Sequence, residues 1–201
     1  MPQPFKGDWI ADPEALSKRP KLGLHVGIIA SLWSHMEYGL ASLIANILNV
    51  DAAIASKMYL PVKSEAARLS IIEAIAKENL NAEMRSEFNK LRIKIRNTGA
   101  ERDRVVHGIW ALPISKPDSL VLVDVSKMSA HFAALVSHSA KGVKGTKPND
   151  WEKVLSARRE QFDSLLEYTE NDFLQIESRI NDRRIEVGEF SSKVIQGFVK
   201  R

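Results

Sequence analysis

The chain has 201 residues, 44% hydrophobic and 27% charged, which suits one globular domain and excludes a disordered or low-complexity polymer. It contains no cysteine, so disulfide scaffolds, thiolate zinc sites, iron–sulfur clusters and a cysteine nucleophile are all excluded. Lys and Arg number 29 against 25 Asp and Glu, and the net charge of +4 is compatible with an anionic partner without identifying one.

Residues 1–21 hold Pro2, Pro4, Pro13 and Gly7, with only Trp9, Ile10 and Leu16 as anchors, and read as an irregular N-terminal arm. The basic cluster Lys18, Arg19, Lys21 before the apolar run Leu22–Trp33 imitates a signal peptide. That run falls short of the roughly 18 residues of a membrane span, and no small-residue cleavage site follows it. A cytoplasmic protein with no membrane partner is the expectation.

From Leu22 to Leu48 the residues Ile29, Leu32, Trp33, Met36, Leu40, Leu43, Ile44 and Ile47 recur at three- and four-residue steps, which predicts a long helix. Asp51 is placed to cap a short helix ended by Pro61, and Ser64 to cap another with the stripe Ala67, Ile71, Ile72, Ile75. In Ala82–His107, Phe88, Leu91, Ile95, Thr98 and Arg102 step along one helical face. The alternating run Lys90–Arg96 taken alone reads as a strand, but its flanks are helical and it lacks turn residues, so helix is predicted. Ile93 then points away from the main stripe and needs a second apolar neighbour, such as another subunit.

Gly108 suits a helix C-cap. Ile109–Ser115 and Leu120–Ser126 flank the turn-forming Lys116-Pro117-Asp118-Ser119 and predict a hairpin, with Pro113 confining its first strand to an edge. A short helix is expected at Lys127–His138 and a basic loop at Lys141–Asn149. Asp150 is expected to cap a long helix whose stripe runs from Trp151 through Leu165, Leu166, Thr169, Phe173 and Ile176 to Ile180. The amphipathic piece Phe190, Val194, Ile195, Phe198, Val199 is too short to be stable alone, so the tail 184–201 is expected to pack on the bundle or on a partner. The sum is a mainly α protein: a bundle of four or five helices over residues 22–183 with one inserted β-hairpin at about 109–126.

The stretch Arg102-Asp103-Arg104-Val105-Val106-His107-Gly108 carries the chemistry. An arginine on an apolar stripe is costly to bury unless it is paired or faces a wet cleft. His107 ends the helix, and Asp103 lies one turn before it, where a hydrogen bond would fix the imidazole tautomer. Arg102 and His107 stand five residues apart, about 140° around an ideal helix. Between Arg85 and His107 seven basic residues stand against three acidic ones, a pattern that reads as a phosphate-facing surface and equally as a plain solvated helix face.

These residues resemble the Arg-x4-His signature of HEPN domains, small helical bundles that include metal-independent RNases and toxins of toxin–antitoxin pairs. The segment Ser31-Leu32-Trp33-Ser34-His35-Met36-Glu37-Tyr38-Gly39-Leu40 resembles their first long helix, with an aromatic residue and an acid one turn apart. The likeness covers roughly Leu22 to Arg183, and the hairpin after the motif is an insertion relative to the simplest members. It implies a ribonuclease with no cofactor and no metal: His107 as acid or base, Arg102 as phosphate clamp, Asp103 orienting His107. Glu37 is expected to support Arg102 across the bundle. Arg92, Arg96 and Arg104, with Lys141, Lys144 and Lys147 on the basic loop, are expected to contact RNA. The family likeness further implies a homodimer with its site at the subunit junction, and an antitoxin-like protein as a further candidate partner. The competing expectation is a non-catalytic dimeric module that binds RNA or protein on the same scaffold.

Overall fold

The computed structural model describes residues 1–124 and 165–199. In chain order they form β1 (Gln3–Pro4), β2 (Trp9–Ala11), α1 (Ala15–Lys18), α2 (Pro20–Leu48), α3 (Ala52–Tyr59), α4 (Glu65–Asn79), α5 (Ala82–His107), β3 (Ile109–Pro113), β4 (Ser119–Val123), β5 (Leu166–Thr169) and α6 (Glu170–Val199). The described chain is mainly helical with a small antiparallel sheet. The predicted helix at Lys127–His138, the loop bearing Lys141, Lys144 and Lys147, and the Asp150 cap lie outside the described residues.

Helix ends follow local chemistry. Pro20 opens α2, where a missing N–H costs nothing. Asn49, at φ 53°, closes it in the left-handed region, and the Val50 N–H reaches back to the Ala45 carbonyl at 3.0 Å. Asp51 caps α3 by accepting from the Ala53 N–H at 2.7 Å, and Ser64 caps α4 by accepting from Ala67. The Asn81 side chain accepts from the Met84 N–H and starts α5, which runs unbroken through the alternating Lys90–Arg96 segment.

The chain divides into two compact units, Met1–His25 with His107–Phe173, and Val26–Val106 with Leu174–Arg201. The first holds the sheet, in the order β1-β5-β4-β3-β2, with every pairing antiparallel. All five residues of β4 are buried, which is why Ser-Leu-Val-Leu-Val runs apolar instead of alternating. Phe5, Ala111, Val121, Val123 and Leu165 form one apolar cluster. Trp110, Tyr168 and Phe173 form an aromatic cluster with ring centroids 5.2–5.5 Å apart, and His25 stacks on Phe173 at 5.9 Å.

Several expectations are corrected here. The N-terminal arm is not irregular: β1 pairs with β5, β2 pairs with β3, and α1 follows β2. The hairpin is therefore the middle of a five-stranded sheet. Pro113 does not mark an edge strand, because β3 lies between β4 and β2. The proline is tolerated as the last residue of β3, opposite Trp9 and beyond the final β3–β4 pair Ala111↔Val121. The long helix expected to run from Asp150 to Ile180 does not pass through residues 166–169, which form β5 against β4. The helix starts afresh at Glu170, where Asp172 accepts from the Thr169 N–H at 3.0 Å and its hydroxyl at 2.7 Å. The C-terminal amphipathic piece is no separate tail either: it continues α6, with Phe190 and Val194 buried.

In the second unit α5 and α6 lie antiparallel, and three ion pairs show their register. Glu87 meets Lys193, Lys94 meets Glu186 at 2.9 Å, and Glu101 takes both Nε (3.0 Å) and Nη2 (2.6 Å) of Arg179. Each step is seven residues on both helices, the spacing at which facing side chains repeat in near-parallel helix packing. Between the first two pairs Phe88 packs on Phe190, ring centroids 5.9 Å apart. Buried Ile29, Trp33, Met36, Leu40, Leu43, Ile44 and Ile47 of α2 supply the core stripe that the sequence pattern predicts.

Candidate functional site

The polar residues that meet inside the helical unit come from α2, α3, α4 and α5. Trp33 and Glu37 are one turn apart on α2, and the indole N–H donates to Glu37 Oε1 at 3.1 Å. The same oxygen takes the guanidinium of Arg68 on α4. Arg68 also donates to the carbonyls of Val62 and Leu60, fastening the α3–α4 connection to α2, and its guanidinium carbon lies 5.5 Å from the centroid of the Tyr59 ring. Burial, with Glu37 nearby, pushes the Tyr59 hydroxyl upward in pKa, so it stays neutral.

Arg102 comes from α5 and lies on the other aromatic wall, its guanidinium carbon 5.5 Å from the Trp33 ring centroid. Its Nη1 donates to Asp103 Oδ1 at 2.6 Å, while its Nε is buried with no hydrogen-bond partner among the described residues. Glu37 therefore supports Arg68 and not Arg102, correcting the expected pairing. Trp33 is what the two arginine clusters share: one holds its edge through Glu37, the other covers its face.

Glu65, the first residue of α4, completes the set. A Cβ at Gly99 of α5 would fall 2.3 Å from Glu65 Oε1 and 2.6 Å from Oε2, so only glycine leaves this carboxyl its seat. Burial, with Asp103 and Glu37 adding repulsion against the opposing pull of Arg102 and Arg68, pushes the Glu65 carboxyl up to about 7. Among the described residues this carboxyl makes no ion pair or hydrogen bond.

His107 lies in the last turn of α5 and is exposed; Asp103 accepts its hydrogen bond from Arg102. Of the expected RNA contacts, Arg92 is tied to Glu73 at 2.8 Å, whereas Arg96 and Arg104 are exposed. Lys141, Lys144 and Lys147 lie outside the described residues. Among the described residues no group of three or more His, Asp or Glu is placed to hold a metal ion, and no helix is long and apolar enough to cross a membrane.

Sequence reasoning missed Tyr59, Glu65, Arg68 and Gly99. Only Gly99 carried a signal, since an unforced glycine inside a helix costs about 1 kcal/mol relative to alanine and invites a packing reason. Comparisons with protein-family models, with curated proteins and with solved structures return no match.

Proposed function

We propose that this chain is a metal-independent RNA-cleaving enzyme of HEPN type, working by attack of the 2′-hydroxyl on the adjacent phosphodiester. The observation that carries the reading is Arg102: a half-buried guanidinium laid on an indole, its Nε without a hydrogen-bond partner among the described residues, five residues before the exposed His107 on the same helix. An arginine supplies fixed positive charge in a planar fork suited to a phosphate. A histidine titrates near neutrality and serves as acid or base, worth about 10² to 10⁴ in rate. In this reading Arg102 clamps the phosphate, His107 transfers the proton, Asp103 aligns Arg102, and Arg96 and Arg104 contact the RNA backbone.

Cleavage needs both an acid and a base, and one chain contributes one His107 from this motif. A homodimer that brings two copies of the motif together supplies the second. Ile93, 48% exposed on α5, favours this assembly. The test is incubation of the purified protein with mixed RNA in EDTA, beside Arg102→Ala and His107→Ala. Cleavage leaving 2′,3′-cyclic phosphate ends that both variants lose supports the reading. Equal cleavage by all three proteins, or loss of cleavage in EDTA, refutes it. Sedimentation at micromolar concentration tests the dimer, and a monomer refutes the shared site.

A further inference from the structure

Glu65 plays no part in the mechanism above, yet it is the carboxyl that this fold makes room for. It occupies the first position of α4 and presses on Gly99 of α5, one turn before Arg102. Four charged groups act on it: Glu37 from α2, Arg68 from α4 itself, and Arg102 and Asp103 from α5. Tyr59 of α3 faces the same cluster and stays neutral. Arg68 is already matched to Glu37, and Arg102 to Asp103. A charged Glu65 is thus a third acid beside two arginines, and it subtracts from the positive charge that Arg102 offers an anion.

We propose that Glu65 is a positioning residue for Arg102, acting through its seat on Gly99 so that an uncharged Glu65 leaves Arg102 able to hold a phosphodiester and a charged one weakens that hold. The proposal rests on the ribonuclease reading for its ligand class, a nucleic-acid phosphodiester. The coupling of Glu65 to Arg102 does not rest on it. Since burial and neighbouring acids place the carboxyl's titration near neutrality, the effect falls between pH 6 and 8. Where solvent screens as bulk water does, one charge about 4 Å away changes anion affinity by about fivefold.

Two measurements test this. The first is a carbon-detected NMR titration of the Glu65 carboxyl in the wild-type chain and in Arg102→Gln. Arg102 favours the charged carboxyl, so its loss raises the Glu65 midpoint; an unmoved midpoint overturns the proposal. The second is binding of a 2′-deoxy oligonucleotide without terminal phosphates, whose charge is constant and which lacks the attacking hydroxyl. It is read in the His107→Gln background, so that imidazole ionisation does not contribute. Affinity should weaken about threefold from pH 6 to 8 with Glu65 present, the part of the full fivefold effect that this window spans, and stay flat, at the tighter value, in Glu65→Gln. The same pH dependence in both overturns the positioning role while leaving nucleic-acid binding intact. No binding at any pH overturns this proposal together with the ribonuclease reading.

Discussion

The guanidinium of Arg68 closes on the carboxylate of Glu37, and through that carboxylate it also fixes the indole edge of Trp33. Side-chain exposure is 14% for Arg68 and 21% for Glu37, so the pair is largely desolvated and its loss leaves a charge behind. Breaking such a pair from one side costs more than the pair contributes.

Arg68→Ala is therefore expected to lower stability by about 2–3 kcal/mol, below the 3–5 kcal/mol of fully buried pairs because both groups keep some solvent. Urea denaturation measures it. A change within about 0.5 kcal/mol, the range of ordinary surface substitutions, would show that water replaces the guanidinium.

Gly99→Ala sets two effects against each other. Alanine in a helix gains about 1 kcal/mol over glycine. Its methyl group would meet Glu65 at 2.3 Å, but the atom it meets is the far end of a flexible side chain. The carboxyl swings outward, and the net change in melting stability should stay within about 1 kcal/mol. Glu65 is then more hydrated and its titration moves down toward the ordinary carboxylate range. A midpoint still near 7 in Gly99→Ala would contradict the seat described for Glu65.

The same carboxyl gives stability a pH dependence of defined sign. Its folded value of about 7 lies above that of an unfolded glutamate, so the folded state disfavours the charged form. Below about pH 4.3 both states are protonated and there is no penalty. Stability then falls as pH rises through the window up to about 7, and the full cost persists above it. Discounted for its partial exposure, the cost is about 1–2 kcal/mol. Unfolding free energies from urea titrations at pH 5 and pH 8 should differ by about that amount in the wild type, and by less in Glu65→Gln.

Phe190 is 1% exposed and packs on Phe88 between two rungs of the α5–α6 ion-pair ladder. Truncation to alanine should cost about 3–5 kcal/mol, the range for a buried phenylalanine. Lys193→Ala, on the exposed side of the same turn, should cost under about 1 kcal/mol. Thermal melts of the two variants separate core from rim, and equal losses would contradict this packing.

What the sequence made legible was local. Asp51, Ser64 and the three- and four-residue steps of α2 and α5 announce helices through contacts within a few residues, and those helices stand where expected. The Trp33–Glu37 contact was legible for the same reason, being one turn of one helix. The strands of residues 3–4, 9–11 and 166–169 were not, because Gln3 finds its partner at Glu167 and Trp9 finds its own at Pro113. Leu165, Leu166 and Thr169 fit a helical stripe equally well, and only the open side of β4 decides for a strand. Thr169-x-x-Asp172 was a readable start signal for α6 that the stripe overshadowed. At the site Arg102, Asp103 and His107 stood out by type and spacing, but the partner of Glu37 depends on how α4 crosses α2, which no spacing within either helix reveals.

Both borders of the five-stranded sheet are drawn from the first eleven residues of the chain: β1 closes one side and β2 the other. Strands of two and three residues are poor templates for a neighbouring molecule, which protects the longer strands behind them from edge-to-edge association. The arrangement carries a kinetic cost. The β1–β5 pairing waits until residue 167 has been made, so during synthesis the long flank of β4 lacks its cover while the helices form from neighbours in sequence. The interval before β1 and β5 dock is when this chain is most exposed to aggregation.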